Sequence, residues 1–225
     1  MAVGTHVIRA RGLVQRYGTR RALGPLDLDV GTGDRLALLG DNGAGKSTLL
    51  RILATLARPV QGTLELWGRD AFRDRDVLRP RLGYLAHQPG LTPMLTAREN
   101  LVFFCRLQGL PLERADEVLE EVGLGREVAQ TRAQELSRGR QQRLALGRAL
   151  VGDPELLLLD EPDASLDAGG RRLLDRLVEA RTVVLATHDR PLARRVCGSA
   201  LLLAGGRPLG DPWALQVLDR AEDDA

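Results

Sequence analysis

Apolar residues recur along this chain with two different periods, and each change of period marks the edge of an element. Over residues 7–14 and 26–30 apolar and polar side chains alternate, with Asp27 and Asp29 set between Leu26, Leu28 and Val30. A period of two predicts half-buried strands. After the turn Gly31-Thr32-Gly33-Asp34 the alternation stops, and residues 35–39 (Arg35-Leu36-Ala37-Leu38-Leu39) read as a buried strand. Leu49, Ile52, Leu53 and Leu56 return at helical spacing, which predicts a helix over 48–56 ending before Pro59. Leu64 and Leu66 alternate with Thr63 and Glu65, so residues 62–67 are expected to form an edge strand. Residues 82–86 form a short strand that opens into the loop His87-Gln88-Pro89-Gly90.

The middle of the chain reads as helical. Helices are predicted over 96–107 and 112–122, with Pro111 suited to the first helical position of the second. Ser137 is placed to cap a helix over 138–150. Continuous apolar runs follow at 156–159, 183–186 and 200–203, as in central parallel strands, with helices over 171–180 and 191–196 between them. Residues 221–225 read as a frayed tail. Strands and helices alternate at both ends around an all-helical stretch from about Gln88 to Arg143. The expected class is α/β, a core carrying a helical insertion.

With 225 residues, 44% hydrophobic and 28% charged, the chain suits one domain, or one domain with a lobe. A formal net charge of +2 and 3% aromatics argue against a nucleic-acid surface built on basic charge and base stacking. Cys105 and Cys197 stand far apart among apolar neighbours and fit no metal-ligand spacing, so buried thiols are expected. The first residues lack the pattern of a signal peptide, and no apolar run approaches the roughly 18 residues of a membrane span. A cytosolic protein is expected, with any membrane role supplied by a partner.

One lysine changes the picture. Of 32 basic residues all but Lys46 are arginine, and Lys46 lies in Gly40-Asp41-Asn42-Gly43-Ala44-Gly45-Lys46-Ser47-Thr48. The spacing G-x-x-x-x-G-K-[ST] between a buried strand and a helix is that of a loop whose backbone N–H groups surround a phosphate. An ammonium on a thin flexible stem reaches β- and γ-phosphates where a planar guanidinium is bulkier. A chance glycine-rich turn would lack the flanking strand and helix.

The second signal is Leu156-Leu157-Leu158-Leu159-Asp160-Glu161. A carboxylate ending a buried strand beside a phosphate loop is placed to hold Mg²⁺, with the Ser47 hydroxyl as a further oxygen. Glu161 is then the candidate base for the water that attacks the γ-phosphate. Without the phosphate loop, two solvated acids before Pro162 would be the better reading.

Leu136-Ser137-Arg138-Gly139-Arg140-Gln141-Gln142-Arg143 resembles the LSGGQ signature of the ATP-binding cassette family, and the order of motifs around it matches from Arg11 to Leu203. That resemblance implies a P-loop NTPase core of RecA-like type with a largely parallel sheet, an N-terminal antiparallel β subdomain and an inserted α-helical signature subdomain. It places the whole domain at 5–225, the core with its β subdomain at 5–87 and 144–225, and the helical subdomain at 88–143. ATP and Mg²⁺ are the implied ligands. By the same resemblance Tyr17 stacks on adenine, His188 contacts the γ-phosphate and Asp167 is the D-loop aspartate. Ser137 and Gly139 open a helix N-terminus that would receive the nucleotide held by a second copy, in a head-to-tail dimer docked on a separate membrane permease.

The departures are Arg138 and Arg140 in the signature, Ala164 for a D-loop serine, and His87 where the family places its metal-sensing glutamine. By spacing His87 takes that place; Gln88, one residue later, is the alternative. The segment Gly83-Tyr84-Leu85-Ala86-His87-Gln88-Pro89-Gly90-Leu91 looks like the ATP-binding subunit of haem exporters in cytochrome c maturation, with generic drug or lipid export as the rival. A soluble cassette acting on ribosomes or DNA would normally carry paired cassettes or long insertions. A P-loop kinase would turn over as a monomer and phosphorylate an acceptor.

Overall fold

The computed structural model describes residues 6–209; the expected frayed tail at 221–225 lies outside them. In chain order the strands and helices are β1 (His6–Tyr17), β2 (Arg20–Gly31), β3 (Arg35–Leu39), α1 (Lys46–Leu53), β4 (Gln61–Leu66), β5 (Arg69–Asp70), α2 (Arg75–Leu78) and β6 (Leu82–Leu85). Then follow α3 (Ala97–Leu107), α4 (Arg114–Glu121), α5 (Arg126–Ala129), α6 (Arg138–Leu150) and β7 (Leu156–Asp160). The chain closes with α7 (Ala168–Glu179), β8 (Thr182–Ala186), α8 (Arg190–Val196), β9 (Ser199–Ala204) and β10 (Arg207–Pro208).

Two sheets result. One is four-stranded and antiparallel, in the order β2-β1-β4-β5; the other is six-stranded, in the order β10-β9-β3-β8-β7-β6. In the second, β9, β3, β8, β7 and β6 run parallel and β10 returns antiparallel at one edge. The period of two sorts its side chains to opposite faces. Leu36, Leu38, Leu156, Leu158, Val184 and Ala186 face a core shared with α1 and the antiparallel sheet. Ala37, Leu39, Leu157, Leu159, Val183 and Leu185 face a second core filled from α3 to α8. Cover on both faces is why these strands read as unbroken apolar runs.

Several boundaries differ from the sequence reading. The first two strands extend to Tyr17 and back from Arg20 as one hairpin, because bulges interrupt the alternation by which strands were recognised. β4 is not an edge strand: β1 flanks it on one side and the two-residue β5 on the other. Helix α1 begins at Lys46, inside the glycine-rich loop, and ends at Leu53 before Thr55 takes a left-handed φ of 58°. Pro111 does not open α4; it lies in the preceding turn, its carbonyl accepting from Arg114 N at 3.2 Å. The expected boundary between core and helical insertion at Arg143 falls within α6, an unbroken helix.

Candidate functional site

The glycine-rich loop is held by contacts that require glycine. A side chain at Gly40 (φ 139°) would collide with the Leu203 carbonyl oxygen, and one at Gly45 (φ 108°) would meet the Ala22 carbonyl oxygen at 2.7 Å. The β9–β10 turn pins the loop from outside: Gly206 N donates to Ala44 O at 3.0 Å and Gly206 O accepts from Gly24 N at 2.6 Å. Because α1 starts at Lys46, its first N–H groups lack helical partners and remain available to an anion.

This loop floors a cleft of about 770 Å³. Gly40 through Thr48 line it without a gap, joined by Tyr17, Arg20 and Ala22 from the β1–β2 hairpin, His87 after β6, Asp160 ending β7, Glu161 and Ala164 after it, and His188 after β8. The parallel strands therefore deliver their chemistry at one C-terminal edge, where α/β sheets bind ligands. Lys46 is buried, and its Nζ donates to the carbonyls of Gly40 at 2.5 Å and Asp41 at 3.2 Å. The ammonium thus braces its own loop.

Asp160 is 3% exposed at the end of β7. Glu161 has a left-handed φ of 51°, fixed by its N–H donating to Ala186 O at 2.8 Å and its carbonyl accepting from Gln142 Nε2 at 3.4 Å. Strain of this kind gathers at functional sites. Its Oε2 lies 2.8 Å from His188 Nδ1. A carboxylate accepts, so Nδ1 carries the hydrogen and Nε2 is turned outward. The other carboxylate oxygen of Glu161 remains for a water molecule.

Of the two alternatives after β6, His87 lines the cleft and Gln88 does not, though both are exposed. The loop that carries them is tied to α6 by Arg148, whose guanidinium donates to Gly90 O at 3.1 Å and Tyr84 O at 3.4 Å and lies 5.4 Å from the Phe104 ring centroid. Burial lowers the pKa of this arginine.

Ser137, Gly139 and Asp167 do not join the cleft. Ser137 Oγ caps α6, accepting from Arg140 N at 3.4 Å, and is exposed together with Arg138 and Arg140. Asp167 caps α7 through Gly170 N at 2.7 Å and pairs with Arg143 of α6 at 2.7 Å, which together lower its pKa.

The donor set fits Mg²⁺: Ser47 and Asp160 offer hard oxygens in one cleft, and no group of three or more His, Cys, Asp or Glu among the described residues forms a metal cage of its own. Arg20 and Ala22 are lining residues that sequence reasoning missed, and of these Arg20 carries a charge. It lies in the part of the hairpin that the alternation did not reveal, beside Tyr17.

A profile of the family described as "ABC transporter" matches residues 23–164. The chain is 38% identical over 81% of its length to the bacitracin transport ATP-binding protein BcrA of Bacillus licheniformis, spanning 61% of that protein. It is 40% identical over 92% of its length to the phosphonates import ATP-binding protein PhnC of Anaeromyxobacter dehalogenans, spanning 46% of it. Identity to the Nod factor export ATP-binding protein I of Cupriavidus metallidurans is 36%, covering 96% of this chain and 74% of that one. Among solved structures, the dimeric bacterial ABC transporter cassette MJ0796 superposes with a TM-score of 0.83 at 29% identity, over 90% of this chain and 97% of that one. None of these relatives is named as a haem exporter. With the ordered motifs brought to one cleft and these likenesses beside them, the chain belongs to the ABC transporter family and has the fold of its ATP-binding cassettes.

Proposed function

We propose that this chain binds and hydrolyses ATP as the energy-supplying subunit of an exporter. In this reading two copies sandwich two nucleotides head to tail and dock on a permease at the cytoplasmic face of the membrane. The observation that carries it is the division of the motifs: the cleft holds Tyr17, the phosphate loop, Asp160, Glu161, His87 and His188, while Ser137 and Gly139 lie outside it. A second copy turned head to tail supplies the missing helix N-terminus to each cleft. The division into 5–87 with 144–225 and 88–143 belongs to the same proposal, with α6 crossing the boundary.

The residues then take these tasks. Tyr17 stacks on adenine, and the amides of residues 40–48 hold the phosphate chain. Bound Mg²⁺ would neutralise developing charge on the phosphates, held by Ser47 and Asp160, with His87 rather than Gln88 reaching it. Glu161 takes the proton of the attacking water, and His188, fixed by Glu161, presents Nε2 to the γ-phosphate. Phosphate passes to water. The test is turnover by the purified chain with Mg²⁺-ATP: release of inorganic phosphate with a rate that rises steeply with protein concentration supports the reading. A phosphorylated acceptor produced by a monomer would overturn it.

For the cargo, haem or a haem-linked step rests on residues 83–91 alone. The bacitracin and Nod factor relatives favour the second reading, export of an antibiotic, drug or lipid. Co-purification from membranes identifies the permease, and stimulation of turnover by each cargo class decides between them.

A further inference from the structure

One arginine in the cleft has no task in that scheme. Arg20 begins β2, paired with Tyr17 in the hairpin register, and its guanidinium reaches over the phosphate-binding loop. A methyl group built on Gly43 would meet a single atom within 4 Å, Arg20 Nη2 at 3.6 Å. Several other arginines are committed to carboxylates: Arg11 to Asp29, Arg81 to Glu155, Arg98 to Asp116, Arg143 to Asp167. Arg20 is exposed, and its side chain makes no hydrogen bond or ion pair among the described residues.

The charge of the cleft gives that position a purpose. Three carboxylates line it, Asp41, Asp160 and Glu161, against two fixed cations, Arg20 and Lys46. Lys46 is turned to the carbonyls of its own loop. Arg20 is therefore the cation in the cleft that stands ready for an incoming polyphosphate. A planar guanidinium fork takes two phosphate oxygens at once, which an ammonium does not.

We propose that Arg20 is a further nucleotide-contacting residue, closing over the phosphate chain from the hairpin side while the loop amides hold it from the other. The proposal rests on the nucleotide reading of the cleft and adds a contact to it. Because the contact is to phosphate, it acts on any polyphosphate and needs no base.

Calorimetric titration of wild type, Arg20→Ala and Arg20→Lys with Mg²⁺-ATP and with inorganic tripolyphosphate tests it, with Lys46→Ala run in parallel. Arg20→Ala is expected to weaken both ligands about tenfold or more, as for loss of a charge-assisted hydrogen-bond pair. Arg20→Lys is expected to recover part of that loss, and the melting temperature without ligand to stay unchanged. Unchanged affinities in Arg20→Ala overturn the proposal, as does a loss confined to ATP, which would put Arg20 on the base or ribose. Wild-type protein that binds no ATP overturns the nucleotide reading itself and takes this contact with it; wild-type binding with an indifferent Arg20→Ala overturns the Arg20 contact alone.

Discussion

Lys46 does two things at once, so its removal costs twice. Its ammonium braces the carbonyls of Gly40 and Asp41 and, on the proposed reading, shifts to phosphate when ATP arrives. Lys46→Ala is expected to lower ATP affinity at least about tenfold; an unchanged dissociation constant by calorimetry would remove the lysine from the binding role. Glu161→Gln keeps shape and loses basicity. Turnover is expected to fall about 10²–10⁴-fold with ATP affinity retained, and brisk phosphate release by this variant would clear Glu161 of the base role. Cys197 offers a test of packing at the same scale. Burial pushes its thiol from an ordinary 9.0 up to about 12. The folded state therefore holds a proton that the unfolded state sheds above pH 9, so the thiol's contribution to stability is full below pH 9 and is lost as pH rises towards 12. Denaturant midpoints should drop over that window in wild type and drop less in Cys197→Ala; equal slopes would contradict the assignment.

Elements were legible where their signal was local. The helix expected over 96–107 is α3, and the structure adds a reciprocal cap there that the sequence reading did not single out: Thr96 Oγ1 accepts from Glu99 N at 3.1 Å and Glu99 Oε2 from Thr96 N at 2.8 Å. Thr96→Ala should cost about 1 kcal/mol of stability and leave ATP affinity alone, which thermal unfolding and calorimetry together check. Strands β7 and β8 were legible because burial on both faces leaves no ambiguity of period. The N-terminal hairpin was only half legible. Its register shifts between Ala10 and Leu13 and again around Gln15, and a bulge breaks the alternation that sequence reading depends on. Arg20 was missed for that reason. Pro111 was misplaced because a proline before a helix suits the preceding turn as well as the first helical position. Sequence alone left His87 and Gln88 as alternatives, since a loop has no periodicity to favour either neighbour; His87 lines the cleft, and its task at the metal belongs to the proposal.

At the scale of the whole molecule, the described chain holds a cleft with a phosphate loop, a metal-suited carboxylate and a histidine-held glutamate, and a helix N-terminus at Ser137 that lies outside this cleft. No helix among the described residues is long and apolar enough to cross a membrane. On the proposed reading the two halves of the site meet when a second copy closes over the first, with ATP joining them. The most direct measurement is the mass of Glu161→Gln in solution by light scattering, with saturating Mg²⁺-ATP and without it. The account predicts twice the chain mass with Mg²⁺-ATP and the single-chain mass when either is withheld. A particle that stays at single-chain mass with its cleft saturated by ATP would contradict it.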